Sequence, residues 1–366
     1  MKNNGGLESS IFATTALVAF AGAGAAAADV TLTGSAEMGI AGGSGTTATT
    51  FFQTVDVRFS MSGTTDNGLS FGAVIDLEDA RADSTDIAGA FADFTVFVSG
   101  DFGRLTMGDT DGAFDWAMDD VNTARNAGSI SDAETGHGGY NGNGLFDTGP
   151  NAATATTLPN AGGAAYNAQV LRYDYSVAGF GVAVSAQIDQ NDARNGDAQF
   201  QLGLTYDLDI SGGEVQFGLG YVTVADANRT FLNGNVGAAG PIAGDQGYSA
   251  VGVSVLAALD AGFSAAVNYT EVNDNGYFGG DGTHTAVGFG YNFDAITVSA
   301  NWGEYDWSTA AFSVDSEGYG LAASYNLGGG LSAHLGYGKT EITASNGTAT
   351  ARGESSAWSL GLAMSF

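Results

Sequence analysis

The chain has 366 residues, 40 acidic against 10 basic side chains, a formal charge of −30, 58 glycines, three prolines and no cysteine. That charge excludes nucleic acid, whose phosphates need Lys and Arg, and the missing cysteines exclude a disulfide framework, a thiolate metal site and a cysteine nucleophile. The length suits two ordinary domains or one large barrel, and abundant glycine with little proline suits a sheet with tight turns better than a linker.

Residues 11–28, IFATTALVAFAGAGAAAA, are the only long apolar run. The run is alanine-rich and ends in Ala26-Ala27-Ala28 before Asp29, the pattern of a secretory signal with an A-x-A cleavage site. Residues 1–28 therefore read as a signal peptide and 29–366 as the mature chain; a lone membrane anchor is the alternative. Removing Lys2 and Glu8 with the signal leaves the charge at −30. No other segment is long and apolar enough for a membrane helix, so a membrane-spanning mature chain must be a closed barrel.

Beyond Asp29, near-alternating segments recur at about 30–40, 51–62, 68–79, 90–99, 103–109, 168–178, 180–189, 198–208, 213–224, 247–258, 261–272, 283–293, 295–306, 316–327, 330–340 and 355–366. Short turns, such as Ala178-Gly179 and Phe293-Asp294, alternate with longer loops at 41–50, 80–89, 110–167, 190–197, 225–246, 273–282, 307–315 and 341–354. Even strand number, short turns at one end and long loops at the other describe an outer-membrane barrel with periplasmic turns and extracellular loops. The predicted fold is all-β, a 16-stranded antiparallel transmembrane β-barrel. Val287, Phe289, Tyr291 and Phe293 alternate with Ala286, Gly288, Gly290 and Asn292. So many strands enclose a lumen too wide for side chains to fill, so the apolar face must point into lipid and the lumen must hold water. In the last strand Trp358 and Phe366 share the apolar face about 26 Å apart. Tilt reduces this to roughly 20 Å of height, close to the spacing of aromatic girdles. Its other face, Ser359, Gly361, Ala363 and Ser365, is expected to leave lumen space free.

Three segments, Phe59 to Gly72 (FSMSGTTDNGLSFG), Thr95 to Asp109 (TVFVSGDFGRLTMGD) and Tyr319 to Gly330 (YGLAASYNLGGG), together with the terminal Phe366, resemble general porins of the alpha-proteobacterial, Rhodobacter-type branch. The resemblance runs from Asp29 to Phe366. It implies a homotrimer of sixteen-stranded barrels in the outer membrane, and a third extracellular loop folded into the lumen with acidic residues facing basic wall residues. It further implies that Phe366 assists recognition by the barrel-assembly machinery and lies near Asp29 where the barrel closes.

The long loop 110–167 falls where such porins carry that inward loop, and loops of this length are usually functional. Its candidate constriction residues are Asp111, Asp115, Asp119, Asp120, Asp132 and Glu134, with Asp109 and Asp147 nearby. Residues 115–119 are expected to form one helical turn with Asp115 and Asp119 on one face. Strand register points Arg58, Asp76, Glu78, Arg104, Arg172 and Asp174 at the lumen, with Arg81 at a strand end or in the second loop. An arginine facing lipid at mid-depth costs ~2–4 kcal/mol, which favours the inward assignment. Asp76 and Glu78 depart from the resembling family, which often carries basic residues there. The expected function is passive diffusion of ions and small hydrophilic solutes through a cation-favouring, water-filled pore. No cofactor is required. Ca²⁺ could bind the acidic loops and bridge them to lipopolysaccharide phosphates, since hard cations want several oxygen ligands.

Three other readings compete. A substrate-specific channel would need an aromatic track, and Trp116, Trp302 and Trp307 are scattered, with the last two better suited to girdle or packing roles. A hydrolase needs a histidine beside serine and an acid; only His137, His284 and His334 exist, the last beside Ser332. A calcium-binding β-roll needs repeated glycine-rich nonapeptides, and only residues 279–282 hint at one.

Overall fold

The computed structural model describes residues 16–17, 29–44, 48–77, 92–121, 126–140, 169–188, 198–224, 248–275, 280–308 and 313–366. Glu78, Arg81 and Asp147 lie outside these. The described strands of the barrel are β1 Asp29–Ser44, β2 Thr50–Thr64, β3 Ser70–Leu77, β4 Ala92–Gly100, β5 Gly103–Gly108, β6 Gln169–Val177, β7 Phe180–Ile188 and β8 Gln199–Ile210. They continue as β9 Gly213–Val224, β10 Tyr248–Leu259, β11 Phe263–Asn275, β12 Gly280–Phe293, β13 Ile296–Ser308, β14 Ser313–Gly328, β15 Leu331–Ser345 and β16 Thr350–Ser365. Each pairs antiparallel with the next, and β16 pairs with β1, so the sixteen-stranded sheet closes on itself. Closure removes every sheet edge, which a chain in hydrocarbon needs because no water is there to satisfy unpaired backbone groups.

The alternation has the two environments expected of it. Val251, Val253, Val255, Leu321, Leu327, Leu335 and Leu360 are exposed on the outside, where lipid replaces water, while Ser254, Asn268, Thr270 and Asn301 are buried on the inside. In a soluble protein this would be inside out. The short turns lie at one end. Ala178 and Gly179 both have positive φ, as the two-residue turns matching strand twist require. At the seam, the Phe366 N–H donates to Gly34 O at 2.8 Å, so the last residue docks five positions beyond Asp29. Within the segment read as a signal, Ala16 and Leu17 pair with Leu32 and Thr31.

At the opposite end the strands outrun their apolar pattern. Residues 341–354 do not form a long loop: β15 and β16 run to Ser345 and from Thr350. The remaining four residues make a tight turn, with Asn346 N–H donating to Ala349 O at 3.1 Å. Above the apolar belt the outward positions are polar, including the cross-strand row Glu304, Glu317, Glu341 and Glu354. The hydrogen-bond ladder therefore continues where alternation of greasy and small residues has already stopped.

Candidate functional site

Among the described residues, the lumen-facing wall charges expected from the sequence lie on β2 to β6. Arg58 on β2 reaches Asp76 on β3 at 3.4 Å and remains half-exposed, at 51%. On β5, the Arg104 guanidinium stacks over the Phe97 ring at 3.8 Å and its Nε donates to Thr106 Oγ1 at 3.1 Å. Arg172 on β6 is 11% exposed, pairs with Asp174 at 3.3 Å and lies 4.0 Å from the Asp111 carboxylate. It also donates to the Asp111 main-chain oxygen at 2.7 Å, so it ties the root of the long loop to the wall. Register places Arg58, Asp76, Arg104, Arg172 and Asp174 on the inner face, and each arginine has an acidic partner or neighbour.

From Asp111 the loop turns inward and runs along the inner wall. Helix α1, Ala113–Ala117, starts at Gly112, which offers no side-chain cap. The wall supplies the missing acceptors: Ala113 N–H donates to Ser185 Oγ and Phe114 N–H to Gln201 Oε1, both at 2.8 Å. Orphan donors of a helix's first turn are thus satisfied from β7 and β8. Phe114 and Met118 then enter an apolar cluster with Val222, Ala250, Val272, Tyr305, Trp307 and Val314 inside the barrel. Trp307 is a packing residue here, while Trp302 faces outward.

The expected turn over 115–119 is corrected. The helix stops at Ala117, Met118 is extended, and Asp119 does not share a face with Asp115. Ser254 on β10 accepts from the Asp119 N–H at 3.0 Å, and Asn268 on β11 donates to its carbonyl at 3.2 Å. These wall contacts pull the chain out of the helical path. Further on, Ala127 N–H donates to Ser299 Oγ at 3.2 Å on β13. Asn301 Nδ2 donates to Glu134 O at 3.2 Å, and Ser316 Oγ to Gly138 O at 2.9 Å. At the seam the Ser131 N–H reaches Glu37 Oε2 on β1 at 3.3 Å. The described loop thus leans on the wall from β7 round to β1. Asp111 and Asp132 stay exposed and Asp115 and Asp120 half-buried, whereas Glu134 is buried against the Ser129 hydroxyl.

Alternation along the strands does not show what this seat is made of. Small inward residues do not leave space free. Ser359 is fully buried, and the Ile130 side chain occupies the place a Gly361 side chain would take. The available signal was glycine at matched cross-strand positions, such as Gly203, Gly220 and Gly252 on β8, β9 and β10. The three histidines also serve the loop. His137 Nε2 donates to Asn301 Oδ1 at 2.5 Å, while its Nδ1 accepts from Gly139 N–H at 3.3 Å. His284 Nε2 donates to Gly139 O at 3.1 Å. His334 is 2.7 Å from Ser332 Oγ, but its other nitrogen bonds Gly128 O at 3.2 Å. A backbone carbonyl stands where a triad needs a carboxylate. Among the described residues no group of three or more His, Asp or Glu is disposed to hold a metal ion.

Burial acts on the loop's ionisable groups. It holds the His137 imidazole below its ordinary range, and raises the Glu134 carboxyl. Asp119 is raised from 3.8 to about 7, first by burial and then by the nearby Asp207. A raised carboxyl binds its proton more tightly in the seated loop than in a released one. The contribution of Asp119 to seating is therefore complete below its ordinary 3.8 and is lost as pH rises through about 7. The same ionisation adds a negative charge to the loop. The loop should resist limited proteolysis better at pH 6 than at pH 8, on either side of that about-7 value, and Asp119→Asn should remove the difference.

The geometry is accompanied by clear likenesses to known proteins. The family model described as Gram-negative porin matches residues 13–345. A porin of Rhodobacter capsulatus is 30% identical over 290 residues, spanning 75% of this chain and 83% of that protein. Among solved structures, a refined porin structure superposes with a TM-score of 0.61 at 23% identity, over 92% of this chain and all of that one. A multiply substituted variant of the Rh. blastica porin gives a TM-score of 0.53 at 17% identity, again over 92% of this chain.

Proposed function

Since this chain belongs to the Gram-negative porin family and is an outer-membrane channel, we propose that it is a general-diffusion porin whose pore favours cations. The observation that carries the reading is the charge balance of the lumen. Among the described residues the inward basic side chains are Arg58, Arg104 and Arg172, each beside an acid. The exposed or half-buried Asp111, Asp115, Asp120 and Asp132 on the loop, with Asp56 and Asp207 on the wall, leave the described part of the passage net negative. Such a field raises the local cation concentration, as rings of Asp and Glu do in cation channels. The pore residues in this proposal are those loop carboxylates and the wall set Arg58, Asp76, Arg104, Arg172 and Asp174. Reversal potential in a potassium chloride gradient tests it, and anion preference at neutral pH would refute it.

The proposal extends to assembly. The signal 1–28 is removed and the mature chain forms a homotrimer, which stepwise threefold conductance in a planar bilayer would report. Glu304, Glu317, Glu341 and Glu354 stand opposite one another across four strands of the outer face. Like charges so placed repel, and Lys339 bridges Glu341 and Glu354. Divalent cations shared with lipopolysaccharide phosphates would relieve the remainder.

A further inference from the structure

We infer that inward glycines of the wall, with polar side chains aimed at the loop's main chain, are positioning residues that set the free cross-section of the channel, independently of the charges that set its ion preference. This rests on the channel reading above.

A Cβ added at Gly203, Gly218, Gly288, Gly303 or Gly320 would overlap a main-chain carbonyl of the loop, those of Ala113, Ala117, Val121, Gly139 and Glu134 respectively. None of these glycines has a positive φ. The strands do not need glycine there for their own conformation, and glycine in a strand interior weakens it. What requires glycine is the close approach of another backbone. At these five points the loop backbone therefore lies directly against the wall, with no side chain between them.

A second, independent set of contacts makes the same point. Ser185, Ser254, Asn301 and Ser316 bond the loop at Ala113 N, Asp119 N, Glu134 O and Gly138 O. Every one of these partners is a main-chain atom. Such a grip does not depend on which side chains the loop displays. The depth of the seat decides how much lumen is left to water, and the carboxylates of the loop decide which ion enters it.

The test uses the full-length protein refolded and inserted in planar bilayers. Gly288→Ala and Gly320→Ala each force the loop away from the wall toward the passage. Both should lose conductance and exclude the largest neutral sugar that the unsubstituted protein admits, with the sign of the reversal potential unchanged. Gly353→Ala adds the same methyl at an inward position with open space around it, and should leave the exclusion limit where it was. A purely structural role would lower thermal stability without moving that limit. Folded Gly288→Ala and Gly320→Ala channels with unaltered conductance and exclusion limit would overturn the inference. If those variants fail to fold, Ser254→Ala with Ser316→Ala removes two grips without adding volume. An unchanged limit in that pair would overturn it equally. Anion preference of the unsubstituted protein would defeat the charge reading alone, because neutral sugars report the cross-section whatever the charge.

Discussion

Exchanging Asp115, Asp120 and Asp132 for lysine should convert the proposed cation-favouring pore into an anion-favouring one. All three stand at exposed or half-buried positions of the inward loop, and each exchange changes the local charge by two units. A unit charge about 4 Å from an ion contributes roughly 1 kcal/mol even at the dielectric of water. That is about a fivefold bias in ion occupancy per charge, and the three exchanges act together on one loop. Screening gives the prediction a second signature. At about 0.1 M salt the Debye length is near 10 Å, whereas at 1 M it is about 3 Å. The reversal potential should therefore change sign in dilute potassium chloride and shrink toward zero in concentrated salt. Asn in place of Lys should give an intermediate result. Retention of cation preference by the triple-lysine protein in dilute salt would remove these residues from the selectivity mechanism.

Truncation of Phe114 should release the root of the loop while sparing the barrel. Its side chain is fully buried, covers Gly220 and Gly252, and packs in the cluster with Met118, Val222 and Trp307. Phenylalanine-to-alanine changes in such surroundings cost about 3–5 kcal/mol. The barrel's strand ladder does not pass through this contact, so the loss falls on seating of the loop. Limited proteolysis is expected to cut Phe114→Ala between Asp111 and Val121 faster than it cuts the unsubstituted protein. Channel recordings should become noisier. Equal protease resistance in the two proteins would show that the main-chain bonds from the wall suffice without the aromatic anchor.

The barrel was legible because lipid and lumen impose opposite demands on alternate residues. Val287, Phe289, Tyr291 and Phe293 reveal their strand, their outward direction and their membrane depth in one pattern. The upper strand ends were not legible, since at Glu317, Glu341 and Glu354 polar residues occupy both faces while pairing continues. Inward direction for Arg58 and Arg172 followed from register alone. Their partners divided by distance in the sequence: Asp174, two residues from Arg172, was within reach of the reading, whereas the tie to Asp111 spans 61 positions. The helical turn was misplaced because the contacts that end it, from Ser254 and Asn268, lie far downstream. The path of the loop left almost no trace, since a carbonyl resting on glycine writes no periodicity into either partner.

A wall that holds the loop by its main chain has a consequence for how this protein can change over generations. Most substitutions in a packed interior must be answered by neighbours before the fold is restored. Here the bonds from Ser185, Ser254 and Asn301 hold the loop by main-chain atoms, and the carboxylates of Asp115, Asp120 and Asp132 take no part in those bonds. A population meeting new salinity or a new nutrient can alter those carboxylates without breaking the main-chain bonds that hold the loop. Its permeability then drifts along a path on which every intermediate still assembles.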